Sequence, residues 1–136
     1  MKNNKGFSLV ELIIVIAIMA ILVGVMAPQL IKYIEKTNVS SDVQLCDSVR
    51  TALNTACLDP DVVKAGGDLA ASTGAPVSGI SGSVKTEAEE ILGVSLSNIA
   101  SQFKSKSAKG SAMNYSKSGN QIKVWSVGNP SIYSGN

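Results

Sequence analysis

The chain has no histidine, only two cysteines and four prolines, and aromatic residues make up 4% of its 136 positions. Each scarcity removes something. Without histidine, the commonest acid–base catalyst and the commonest metal ligand are both missing. No nucleophile elbow or phosphate-cradling glycine loop takes its place, so no constellation supports catalysis. No cofactor and no metal are expected. Much of the apolar mass sits at the amino end, which leaves a small remaining core and favours a compact head resting on a helix over an independent enzyme domain. Charge is scarce in either direction, with 12 basic residues against 10 acidic ones. Setting aside Lys2 and Lys5 brings the two signs into balance, so no general pull toward nucleic acid is implied.

The cysteines, Cys46 and Cys57, lie eleven residues apart with no helix breaker between them. On one helix they would be about 16 Å apart, whereas a disulfide needs Cα atoms within about 7 Å. They share a face and read as free, buried thiols.

What is present is a long apolar run. No polar side chain interrupts residues 12–27, and Lys2 and Lys5 precede them. A helix over residues 7–27 would be about 30 Å long, the thickness of a bilayer's hydrocarbon core. It would be apolar on every face, of little use in a soluble domain of this size. By the positive-inside rule, the basic residues 1–6 stay cytoplasmic and the remainder faces outward. Glu11, at the edge of the run, is the exception: an ionisable residue there is expensive and needs a partner. A secretory signal peptide would have a core of about 7–15 residues and then a small-residue cleavage site, which this run lacks. A plain signal anchor accounts for the length and the lysines but not for Glu11.

The stretch Lys5-Gly6-Phe7-Ser8-Leu9-Val10-Glu11, with the apolar run and Pro28 behind it, resembles the class III signal of type IV prepilins and pseudopilins. The resemblance implies cleavage by a membrane peptidase between Gly6 and Phe7, N-methylation of Phe7, and a role in assembly for Glu11 and Pro28. It also implies an α+β, type IV pilin-like fold, in which a long helix, apolar and then amphipathic, packs on a small head with an antiparallel sheet. The expected segments are a leader (1–6), a transmembrane and fibre-core helix (7–29), the amphipathic half of that helix (30–58) and the head (59–136). The implied function is that of a structural subunit, not an enzyme, in a type IV pilus-like surface filament, with adhesion and motility among its roles. Implied partners are other copies in a helical homopolymer, a prepilin peptidase and methyltransferase, an assembly platform with its ATPase, and minor pilins. The precursor would cross the cytoplasmic membrane once with its head outside, and the assembled pilus would be extracellular. No specific nucleic acid site is evident. Two other readings stand beside this one: a pseudopilin of a type II secretion or DNA-uptake machine, and a membrane-anchored binding module that never polymerises.

Chemistry supports the resemblance at two places. Cleavage would give Phe7 a charged α-amino group four residues before Glu11, on one helical face, so ammonium and carboxylate can pair within a subunit or between neighbours. The carboxylate also lies near the helix's positive end. Further along, Pro28 has no N–H for the carbonyl of Gly24, and Gly24 weakens a helix by about 1 kcal/mol relative to alanine. A kink or local melting is expected between Gly24 and Pro28, or else a simple bend at the bilayer surface. The extra glycine that the family often carries eight residues before the proline is Ala20 here.

After Pro28, apolar residues from Ile31 to Ala56 recur at near-helical spacing, and Lys32, Glu35, Lys36, Asp42, Asp47 and Arg50 take the other positions. One helix should run to about Leu58. Asp59 and Pro60 should cap and start a short turn that stops at Gly66. A calcium site at Asp59, Asp61 and Asp68 is the weaker reading, because the spacing matches no metal loop. Residues 66–84 read as a loop with a short strand around 77–84. Thr86 and Glu89 have capping-box spacing, so a helix should begin there, with Gly93 dividing it. Lys104, Lys106 and Lys109 read as a solvated loop in preference to a surface for DNA or an anionic partner. Residues 112–115 and 121–127 should form a hairpin around 116–120, with Tyr115 and Trp125 packing on the long helix. Residues 129–136 read as an irregular tail.

Overall fold

The computed structural model describes residues 6–135. Apart from Gly6, the expected leader lies outside the described residues. The fold is α+β, with a long amino-terminal helix and a small antiparallel sheet. Its contacts divide it into two units, Met1–Ile34 and Glu35–Asn136. The division falls inside the first helix, α1 (Leu9–Leu58), which spans 50 residues.

In the first unit, α1 is helical without interruption through Gly24 and Pro28. Helical hydrogen bonding continues across the expected weak point in the single chain. Proline deletes one backbone bond, and the helical ladder on either side holds the turn closed.

In the second unit, α1 buries Cys46, Val49, Leu53 and Ala56, a stripe at spacings of three, four and three. Both thiols are free. Burial first, and Asp42 second, push the Cys46 thiol up to about 12. Cys57 is partly exposed. An alkylating reagent should therefore label Cys57 in the native protein and Cys46 on the order of a hundredfold more slowly, because the thiolate is the nucleophile. Mass spectrometry after timed alkylation checks this. Equal rates, or a Cys46–Cys57 disulfide, would contradict it.

Four short helical segments follow among the described residues, the last a 3-10 turn at Ile99–Gln102 that buries Ile99. Asp59 caps α2 (Pro60–Lys64) as expected: its Oδ1 accepts the N–H groups of Asp61 at 2.8 Å and Val62 at 3.3 Å. The strand expected around 77–84 falls earlier: β1 is Ser72–Pro76, and Val77–Gly79 forms a single 3-10 turn that buries Val77. Helix α3 (Gly82–Leu92) starts four residues before Thr86, not at it. Val84 and Ala88, one turn apart, are both buried and draw the preceding turn into the helix. Thr86 is then interior, and its hydroxyl donates to the Gly82 carbonyl at 3.4 Å. Glu89 instead turns forward and accepts from Leu96 N at 2.8 Å. Gly93, at φ 69°, ends α3 in the left-handed region where glycine is favoured.

The sheet runs β1-β2-β3-β4, with every neighbouring pair antiparallel. β2 (Met113–Ser118) and β3 (Gln121–Ser126) form the expected hairpin, tightened to a two-residue turn at Gly119 and Asn120. The supposed tail contributes β4 (Tyr133–Ser134), beside a fully buried Ile132. Tyr115 is buried in the core as expected, but Trp125 is not. The alternation of β3 turns Ile122, Val124 and Ser126 inward and Trp125 to the opposite face, where its ring lies near Gly74 of β1.

The polar positions of α1 fasten the head. Asp42, only 1% exposed, accepts backbone N–H bonds from Lys104 at 2.8 Å and Ser105 at 2.9 Å. Glu35 accepts from Lys106 N at 2.9 Å. Arg50 donates to the Ile122 carbonyl at 2.9 Å, and Asp47 accepts from the Ser134 hydroxyl at the same distance.

Candidate functional site

The site is built from the first turn of α1. Phe7 is 86% exposed, and a Cβ placed on Gly6 would meet no atom within 4 Å. Nothing within the described chain therefore requires glycine at position 6. If the residue type matters there, the requirement comes from an outside agent that approaches the exposed 6–7 bond.

Ser8 then closes the helix start. Its Oγ accepts the Glu11 N–H at 3.3 Å, and Glu11 Oε2 accepts the Ser8 N–H at 3.1 Å. This is a reciprocal capping box, which satisfies two donors that a helix start would otherwise leave free. Ser-x-x-Glu at residues 8–11 is the signal for this box in the sequence, while the same spacing at Thr86 and Glu89 does not start a helix. Within a single chain, then, the Glu11 carboxylate holds the helix start at its positive end.

From Leu12 onward the helix presents apolar side chains on all sides, including Leu12, Ile13, Ile16 and Met19, each more than half exposed. Its most apolar 18-residue window has a mean hydropathy of 3.0, and none of it is buried within the chain. Among the described residues, this is the one helix long and apolar enough to cross a membrane. Gly24 has open space around it, and Pro28 lies in the same uninterrupted helix.

The other candidates do not converge. Asp59 is a cap, while Asp68 pairs with Lys117 Nζ at 2.5 Å. The Lys117 hydrogen bond is the main cause that holds the Asp68 carboxyl below its usual range. No cluster of His, Cys, Asp or Glu fit for a metal ion exists among the described residues. Asp42 went unforeseen as a structural residue, since its periodicity places it among the polar positions.

Residues 1–27 match the family model of the prokaryotic N-terminal methylation motif. The chain opens on a class III prepilin signal. The prepilin-like part of the chain has curated relatives. One is a fimbrial protein of Pseudomonas aeruginosa, 41% identical over 59 residues, which cover 43% of this chain and 38% of that one. Another is the type IV major fimbrial protein FimA of Dichelobacter nodosus, 44% identical over 56 residues, 41% of this chain and 36% of that one. A fimbrial protein of Moraxella nonliquefaciens is 42% identical over 55 residues, 40% of this chain and 36% of that one. The chain thus spans 36–38% of the length of these relatives. No solved structure matches it.

Proposed function

We propose that the chain is the structural subunit of a type IV pilus-like surface filament. It is made as a single-pass membrane precursor with its head outside, cleaved between Gly6 and Phe7, and N-methylated at Phe7. It then polymerises through α1. The observation that carries this reading is a methylation motif leading into a helix whose apolar faces are left uncovered by the described residues. Such a surface needs a bilayer before assembly and the helices of other subunits after it. Glu11 would meet the Phe7 ammonium of an incoming copy. Gly24 and Pro28 would form the weak point at which the helix yields in the fibre.

The implied machinery is a prepilin peptidase and methyltransferase, then a platform with its ATPase and minor pilins. The relatives are named as fimbrial proteins, which favours a pilus over a secretion or DNA-uptake pseudopilin. The native amino terminus is the test. Mass spectrometry of fibres sheared from the cell surface should find chains that begin at methylated Phe7. Chains that retain residues 1–6 would leave only a membrane-anchored module that never polymerises.

A further inference from the structure

The second unit, Glu35–Asn136, carries two charged surfaces that cannot satisfy each other. Lys104, Lys106 and Lys109 are exposed, and none of them forms an ion pair among the described residues. The carboxylates beside them, Glu35 and Asp42, are engaged by backbone N–H groups of the same loop and not by the ammonium groups. This leaves a basic segment whose backbone is anchored and whose charges face outward. Lys104 and Lys109 border an open groove of about 830 Å³, lined on the α1 side by Asn38, Ser41 and Gln44 and on the other by Gln102. No carboxylate among the described residues lines the groove.

The opposite charge collects where α1 ends. Asp59 and Asp61 at the start of α2 lie near Glu87 and Glu90 of α3, and none of the four is in an ion pair among the described residues. Partial burial, and then Asp59, Glu90 and Asp61, hold the Glu87 carboxyl above its usual range. Asp42, which anchors the basic loop, precedes Asp59 by seventeen residues. Along α1 that is about 25 Å. Screening acts within about 8 Å at physiological ionic strength, so the two ends of one head do not compensate each other.

We infer that the groove beside Lys104 and Lys109 is a subunit–subunit surface, and that it receives the acidic end of a second copy, formed by Asp59, Asp61, Glu87 and Glu90. The inference rests on the filament reading above. The two surfaces differ, so the contact is head-to-tail, and a head-to-tail contact that does not close into a ring builds an open helical polymer. Opposite charge fixes the register of the heads and excludes pairings that bring like ends together.

Charge reversal tests it, in full-length protein with no wild-type copy present. Lys104→Glu with Lys109→Glu should lower the yield of sheared fibre about tenfold, because it sets like charge against like. Glu87→Lys with Glu90→Lys should do the same, and the two sets combined should restore the yield. Processed subunit in the membrane should stay constant throughout. Reversals that assemble like the wild type overturn the inference. So does a lysine reversal that the acidic reversal fails to rescue, which would assign the groove to a polyanion such as DNA or a lipid surface. Should a reversed head lose its fold by near-ultraviolet circular dichroism, wild-type fibres decide: they should shed subunits as sodium chloride rises, and indifference to salt overturns the inference. Failure of the filament reading looks different, because the wild type itself would then give no fibre or would retain residues 1–6.

Discussion

Glu11→Ala and Glu11→Gln should both leave processed, membrane-inserted subunit and strip the cell surface of fibre, lowering sheared yield about tenfold or more. The pair separates two roles that meet in one carboxylate. In the isolated subunit, Glu11 closes the capping box with Ser8. Glutamine keeps that role, because its side-chain oxygen still accepts the Ser8 N–H. Alanine loses it, but the segment lies in the first unit, so the head still folds. Membrane insertion survives both changes, since each removes a charge from the apolar segment. On the proposed assembly, what both remove is the counter-charge for a desolvated Phe7 ammonium, and an unpaired buried charge costs several kcal/mol. The measurement compares sheared fibre with the membrane fraction at equal expression and without a wild-type copy. If glutamine assembles normally and alanine does not, Glu11 is a helix cap and no more.

Asp42→Ala should destabilise the head by about 2–4 kcal/mol. Removing this buried carboxylate leaves the N–H groups of Lys104 and Ser105 without partners, and each unsatisfied buried donor costs about 1–3 kcal/mol. Asp42→Asn keeps one acceptor oxygen and should fall between alanine and wild type. Ser105→Ala is the contrast. Its hydroxyl is buried with no partner among the described residues, so removing it should be neutral or stabilise by up to about 1 kcal/mol. Thermal unfolding of the full-length chain in detergent, followed by the fluorescence of its single tryptophan, Trp125, reads all three. Asp42→Ala should melt about 10 °C or more below the wild type. Equal melting of Asp42→Ala and Ser105→Ala would refute the account of how the 104–106 loop is held.

These residues also mark how far the sequence could be read. The prepilin signal, the length of α1, the cap at Asp59 and the hairpin were legible because each is written in neighbouring residues. Asp42 was not, because its partners lie sixty-two and sixty-three positions away and a carboxylate on an amphipathic helix looks like a solvent residue. Trp125 was misplaced because size suggested the core, while the alternation of β3 decides the face. Thr86 and Ser8 carry the same capping pattern, and only the burial of Val84 and Ala88 rules out the former. The head's two charged ends belong to segments far apart in the chain, and only folding places one along α1 from the other.

The sheet bears on which contacts the head can make with other strands. An unprotected strand edge templates further strands and leads to irreversible aggregation. Both edges here are poor templates. β4 offers only two residues, and β1 is broken by an irregularity between Ser72 and Ala75 and ends on Pro76, which has no N–H to donate. Stacking through sheet hydrogen bonds is thereby disfavoured. In the proposed filament, growth would then be left to helices and side-chain charge, and the sheet edges would stay out of it.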